Sequence, residues 1–117
     1  MSTIDTATLR ARLAAGERLW LVHAAETVAF RSAHLPGAVA FADAGRATTV
    51  LRKTDSIVVY GLDRTCRTSR ALAAGLSRCG YPNVAWYADG LRGWMAADGD
   101  VEGTVSAGPR PTREPRR

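Results

Sequence analysis

No apolar run in this 117-residue chain approaches the ~18 residues that a membrane span requires; the longest hold four or five. The N-terminus, Met-Ser-Thr-Ile-Asp, has no basic patch leading into an apolar core, so no signal peptide is expected and the expected compartment is the cytoplasm. Cysteine is scarce, with only Cys66 and Cys79. The stretch between them reads as a helix, which would hold the two sulfurs roughly 20 Å apart, far beyond disulfide reach. Two free thiols fit a reducing compartment. Neither His23 nor His34 has a second ligand at a usual spacing, so no metal site is expected, and no cofactor is implied. There is no internal repeat.

What is present is an ordinary globular composition, 46% apolar and 23% charged, at the length of one domain. The net charge of +5 suggests nucleic acid, but its distribution argues against that partner. Residues 108–117 (GPRPTREPRR) carry +3 through four arginines and one glutamate. No basic stripe interleaved with aromatics appears elsewhere. This tail also holds three of the five prolines and no large apolar residue. The expected organisation is therefore a folded domain over residues 1–105 and a disordered tail over 106–117.

Helix and strand signals alternate along the domain. Asp5 reads as an N-cap before Leu9 and Leu13, with Ile4 and Leu9 as a hydrophobic staple and Gly16 closing the helix. Leu19 to His23 is a buried-strand run, and residues 26–33 read as a short helix marked by Val28 and Phe30. His34-Leu35-Pro36-Gly37-Ala38 is a turn that His34 orders through hydrogen bonds, and Val39 to Phe41 is a short strand. Residues 42–53 suggest a weak helix ending near Lys53. Ser56 to Tyr60 is the clearest strand, β-branched through its centre. A polar loop from Gly61 to Arg67 leads into a helix from Thr68 to Cys79, capped by Gly80. Val84 to Tyr87 is a further strand, and Leu91 to Ala97 a short helix carrying Trp94. Trp86, Tyr87 and Trp94 read as packing residues. This alternation predicts an α/β domain whose mostly parallel central sheet has helices on both faces.

In such sheets ligands bind beyond the carboxyl ends of the strands. Three segments should meet there: His23 onward, the 61–67 loop, and Ala88-Asp89. Within the loop, Cys66 stands at a helix N-terminus beside Arg64, Arg67 and Arg70, conditions that favour a thiolate. Backbone N–H groups of the loop would cradle an anion. From position alone two readings stay open: a nucleophilic cysteine, or an incidental small residue among solvated arginines. Cys79, three residues after Leu76, reads as a buried structural cysteine. His23 reads as a satisfied structural histidine that could also face the loop.

Four pieces stand in one order. They are Phe30-x-x-x-His34-Leu35-Pro36-Gly37-Ala38, Ile57-Val58-Val59-Tyr60 with its loop and helix, Gly80-Tyr81-x-Asn83-Val84, and Asp89-Gly90-Leu91-x-x-Trp94. Together they resemble the rhodanese homology domain over roughly residues 4–100. The resemblance implies a rhodanese-like fold and sulfur transfer. In that chemistry a loop cysteine takes sulfane sulfur from a small anionic donor such as thiosulfate, or from a persulfide carrier protein, and passes it to a thiol acceptor. It implies neither membrane nor nucleic acid as a partner.

Three departures qualify the resemblance. Gly61 occupies the family's usual cysteine position when one counts from the strand. Counting back from the helix puts Asp63 there. The usual Asp-Val-Arg of the first strand is His23-Ala24-Ala25. The resemblance therefore implies a nucleophile relocated to Cys66, with Arg64, Thr65, Arg67, Thr68 and Ser69 as substrate-binding candidates and His23 and Asp63 as accessory ones. The alternative is a catalytically inactive rhodanese-like module that binds a protein or small anion. Leu72 stands six residues after Cys66, where a phosphatase or arsenate reductase loop would need an arginine to clamp its oxyanion.

Overall fold

A computed structural model describes residues 1–24 and 27–103, with the backbone only for residues 27–29. The expected disordered tail and the boundary near residue 105 lie outside the described residues.

Ile57, Val58, Val59 and Tyr60 form the central strand, and all four are buried. Side chains alternate across a strand, so this run must be covered on both faces. The strands, in chain order, are β1 (Ser2–Ile4), β2 (Trp20–His23), β3 (Val39–Ala40), β4 (Ile57–Tyr60) and β5 (Val84–Tyr87). They form one parallel sheet in the order β1-β5-β4-β2-β3. Among the described residues five helices accompany them: α1 (Thr6–Ala14), α2 (Thr27–Ser32), α3 (Ala44–Thr48), α4 (Arg67–Arg78) and α5 (Gly90–Ala96).

Val58 and Tyr60 point into a core shared with Leu9, Leu35, Leu91 and Trp94, on the α1 and α5 face. Ile57 and Val59 point the other way, against Ala47, Leu72, Ala73 and Leu76 of α3 and α4. The expected α/β sheet with helices on both faces is thus present.

Local signals explain most boundaries. The Asp5 carboxylate accepts the Thr8 N–H at 2.8 Å, and Ile4 and Leu9 are both buried in one core, as a capped and stapled helix requires. Gly80, with φ of +93°, turns the chain out of α4. His34 orders its turn as expected: its Nδ1 donates to the Phe30 carbonyl at 2.7 Å and its ring stacks on Phe30.

Three readings need correction. The N-terminus starts with β1, an edge strand beside β5, which three residues are too few to announce. The helix sought in 42–53 spans only Ala44–Thr48, with Asp43 capping it through the Arg46 N–H. Cys79 is exposed, not buried. The chain leaves the helix there, and Tyr81 turns back to fill the core instead, buried, with its hydroxyl donating to the Leu51 carbonyl at 2.6 Å.

Candidate active site

The parallel sheet carries His23, the loop after β4 and Ala88-Asp89 to its carboxyl edge, as expected. The loop is held from two sides. Asp63 accepts the Thr65 N–H at 3.0 Å and the Thr65 hydroxyl on the same carboxylate oxygen, and its backbone carbonyl accepts the Cys66 N–H at 3.0 Å. These hydrogen bonds, the Thr65 hydroxyl first, hold the Asp63 carboxyl below the usual carboxylate range. From the other side α5 docks onto the strand end. The Leu91 N–H donates to the Gly61 carbonyl at 2.9 Å and the Arg92 N–H to that of Leu62 at 2.8 Å. Gly90, with φ of +63°, permits this approach, since a Cβ there would lie 2.5 Å from the Gly61 oxygen.

Cys66 is the N-cap of α4. Its Sγ accepts the Ser69 N–H at 3.4 Å, which sets the sulfur at the positive end of a 12-residue helix. A Cβ on residue 61 would fall 2.2 Å from that sulfur and 2.8 Å from the Cys66 Cβ. The thiol therefore fills the side-chain space of the residue that directly follows β4. Only glycine at 61 leaves that space open.

The other sequence-predicted residues divide. Arg64 is turned outward onto Asp89, with Nε to Oδ1 at 2.9 Å. Arg70 lies over the Trp86 ring at 5.7 Å. Arg67 is exposed at the first position of α4 and has no ion-pair partner among the described residues. Arg64 and Arg70 thus do not converge on the sulfur. Ser69 is fully buried; its hydroxyl donates to the Cys66 carbonyl at 3.2 Å and accepts the Trp86 indole N–H at 2.9 Å. Thr68 lines a separate shallow groove between α3 and α4, with Asp43 and Leu72. Thr65 is bound to Asp63, as above. The amides of Thr65, Cys66 and Ser69 all have partners within the loop and the helix start.

His23 does come to the site. A cavity of about 340 Å³ is lined by His23, Ala24, Ser32, Ala33, Leu62, Cys66 and Leu91. The ring is buried, packed edge-on against Phe30 and Tyr60, and its Nδ1 lies 2.9 Å from the Tyr60 hydroxyl. Burial, with a smaller contribution from His34, pushes His23 down to about 4, so the ring is neutral at pH 7. The Tyr60 oxygen already accepts the Leu35 N–H at 3.0 Å, and His23 is its other partner. Tyr60 therefore donates to Nδ1, which places the ring proton on Nε2. Sequence reasoning missed this Tyr60 link. It arises from the register of β2 and β4, which pairs His23 with Tyr60.

The rhodanese-like domain family model matches residues 5–97. The chain belongs to the rhodanese-like domain family. Among solved structures it is similar to the rhodanese-like domain of a protein from Anabaena sp., at 29% identity and a TM-score of 0.81, covering 94% of this chain and 86% of that one. A protein from Bacillus halodurans superposes with a TM-score of 0.82 at 25% identity, covering 93% of this chain and 82% of that one. The thiosulfate sulfurtransferase of Pseudomonas aeruginosa shares the fold, with a TM-score of 0.71 at 19% identity; 97% of this chain covers 23% of that one. No curated protein matches the chain. Among the described residues no helix is long and apolar enough to cross a membrane. Within the rhodanese-like frame, the position directly after β4 is the one the family usually gives to its cysteine. Here Gly61 holds it in sequence and the Cys66 sulfur occupies its side-chain space.

Proposed function

We propose that this rhodanese-like protein is a sulfurtransferase that carries sulfane sulfur as a persulfide on Cys66. The observation that supports this reading is the placement of the Cys66 Sγ, 2.2 Å from where a residue-61 Cβ would stand. A cysteine five residues further along the loop thereby presents its sulfur where a residue directly after the strand would present its own. The Ser69 N–H points at that sulfur from the start of α4. The thiolate attacks the outer sulfur of a donor, forms a sulfur–sulfur bond and releases the donor's remainder with the electron pair of the broken bond. With thiosulfate the leaving group is sulfite. A thiol acceptor then attacks the Cys66 persulfide and restores the thiolate. Donor candidates are thiosulfate and persulfide carriers, and the transfer takes place in the cytoplasm.

The test is intact mass after exposure to sulfane donors. The wild type should gain one sulfur atom, and Cys66→Ser should gain none while staying folded, because serine is itself a strong N-cap for the Ser69 N–H. A correctly folded wild type that takes sulfur from neither thiosulfate, mercaptopyruvate nor a protein persulfide would replace this reading with that of an inactive binding module.

A further inference from the structure

The wall around the Cys66 sulfur does not suit an inorganic dianion. Ala24, Ala33, Leu62 and Leu91 make most of it, and among the described residues no arginine or lysine lines the cavity. Arg64 is turned to Asp89 and Arg70 to Trp86, so neither supplies a counter-charge there. Of the polar groups, His23 is 3% exposed and neutral at pH 7, with Nδ1 occupied by Tyr60. Its Nε2–H has no partner among the described residues. A doubly charged donor would leave water for a mostly apolar pocket whose described side-chain donors, His23 and Ser32, are neutral, a costly transfer. A hydrocarbon group would gain by the same burial. At about 340 Å³ the cavity has room for such a group beside the sulfur.

We propose that this cavity receives the apolar organic group of the sulfur donor, so that the preferred donor is an organic persulfide, R–S–SH with hydrocarbon R, and not thiosulfate. This rests on the reading of Cys66 as the sulfur carrier. The Cys66 thiolate attacks the outer sulfur of R–S–SH. A bond forms between Sγ and that sulfur, the donor's own sulfur–sulfur bond breaks, and its electron pair leaves on R–S⁻ while the proton stays on the transferred sulfur. The departing thiolate remains in the cavity with R, where the His23 Nε2–H is a donor available to it.

The experiment compares rates of sulfur loading at Cys66, read by intact mass, from benzyl persulfide, cysteine persulfide, thiosulfate and inorganic hydrogen disulfide. Burial of a phenyl ring should make benzyl persulfide about 30-fold faster than cysteine persulfide or thiosulfate. Ala33→Leu, which narrows the cavity, and Leu62→Asp, which puts a carboxylate at its half-exposed rim, should each lower the ratio of benzyl persulfide to hydrogen disulfide rates about tenfold or more. Leu62→Asp lies on the surface and decides the matter where Ala33→Leu fails to fold. Benzyl and cysteine persulfide reacting within threefold of each other, thiosulfate as the fastest donor, or an unaltered ratio in folded Leu62→Asp would each overturn the proposal while sulfur transfer stands. Failure of all four donors, hydrogen disulfide included, would instead overturn the sulfurtransferase reading beneath it.

Discussion

Gly61→Ala tests whether the Cys66 sulfur truly fills the side-chain space after β4. The added Cβ would meet Sγ at 2.2 Å, the Cys66 Cβ at 2.8 Å and the Ser69 Oγ at 3.0 Å. Carbon and sulfur make ordinary contact nearer 3.5–4.0 Å, so Cys66 must retreat by more than an ångström or the strand end must move. Neither is free to do so. Gly61 is anchored by the Leu91 N–H on its carbonyl, and Cys66 by the Asp63 carbonyl and the Ser69 N–H. Overpacking at such a site costs about 1–3 kcal/mol, and losing the cap on α4 adds about 1 kcal/mol. We expect a total loss of about 2–4 kcal/mol, read as a lowered midpoint in urea with an unchanged slope. In a Cys66→Gly background the two closest contacts are gone, and the added cost of Gly61→Ala should fall below about 1 kcal/mol, a coupling typical of touching residues. A loss below about 1 kcal/mol in the wild-type background, or no coupling to position 66, would refute the placement of the thiol.

Three further outcomes are expected. Tyr60→Phe removes the hydroxyl that serves both His23 Nδ1 and the Leu35 N–H, leaving two buried polar groups without partners; the cost should be about 2–4 kcal/mol by chemical denaturation. His23, held at about 4 when folded against an ordinary 6.5, makes the unfolded state bind more protons between those values, so stability should fall on acidification from pH 6.5 towards pH 4. The loss should reach about 3 kcal/mol, and His23→Gln should flatten that part of the profile. Cys79→Ser should shift stability by less than about 0.5 kcal/mol, because the side chain is exposed at the end of α4; a larger loss would mean that it is buried after all.

Periodicity and punctuation in the sequence determined the α/β class, β2, β4 and β5, the long helix to Gly80 and the turn at His34. Those features arise from interactions between near neighbours: β-branched runs, an Asp5 cap, a glycine at a left-handed position. Cys66 at a helix N-terminus was legible for the same reason, since a cap is a contact with a residue three positions on. Tertiary structure alone decided what surrounds that thiol. Which way Arg64 and Arg70 turn depends on Asp89 and Trp86, both carried in from β5 and the residues that follow it. The state of His23 depends on a register that sets it beside Tyr60, 37 residues away, and on the burial that follows. Cys79 shared its helical phase with Leu72 and Leu76, but the chain turned out of the helix and Tyr81 took the core position instead. Sequence spacing says which face of an element a residue joins; only packing says what stands opposite it, and the charge and polarity of the site follow from that.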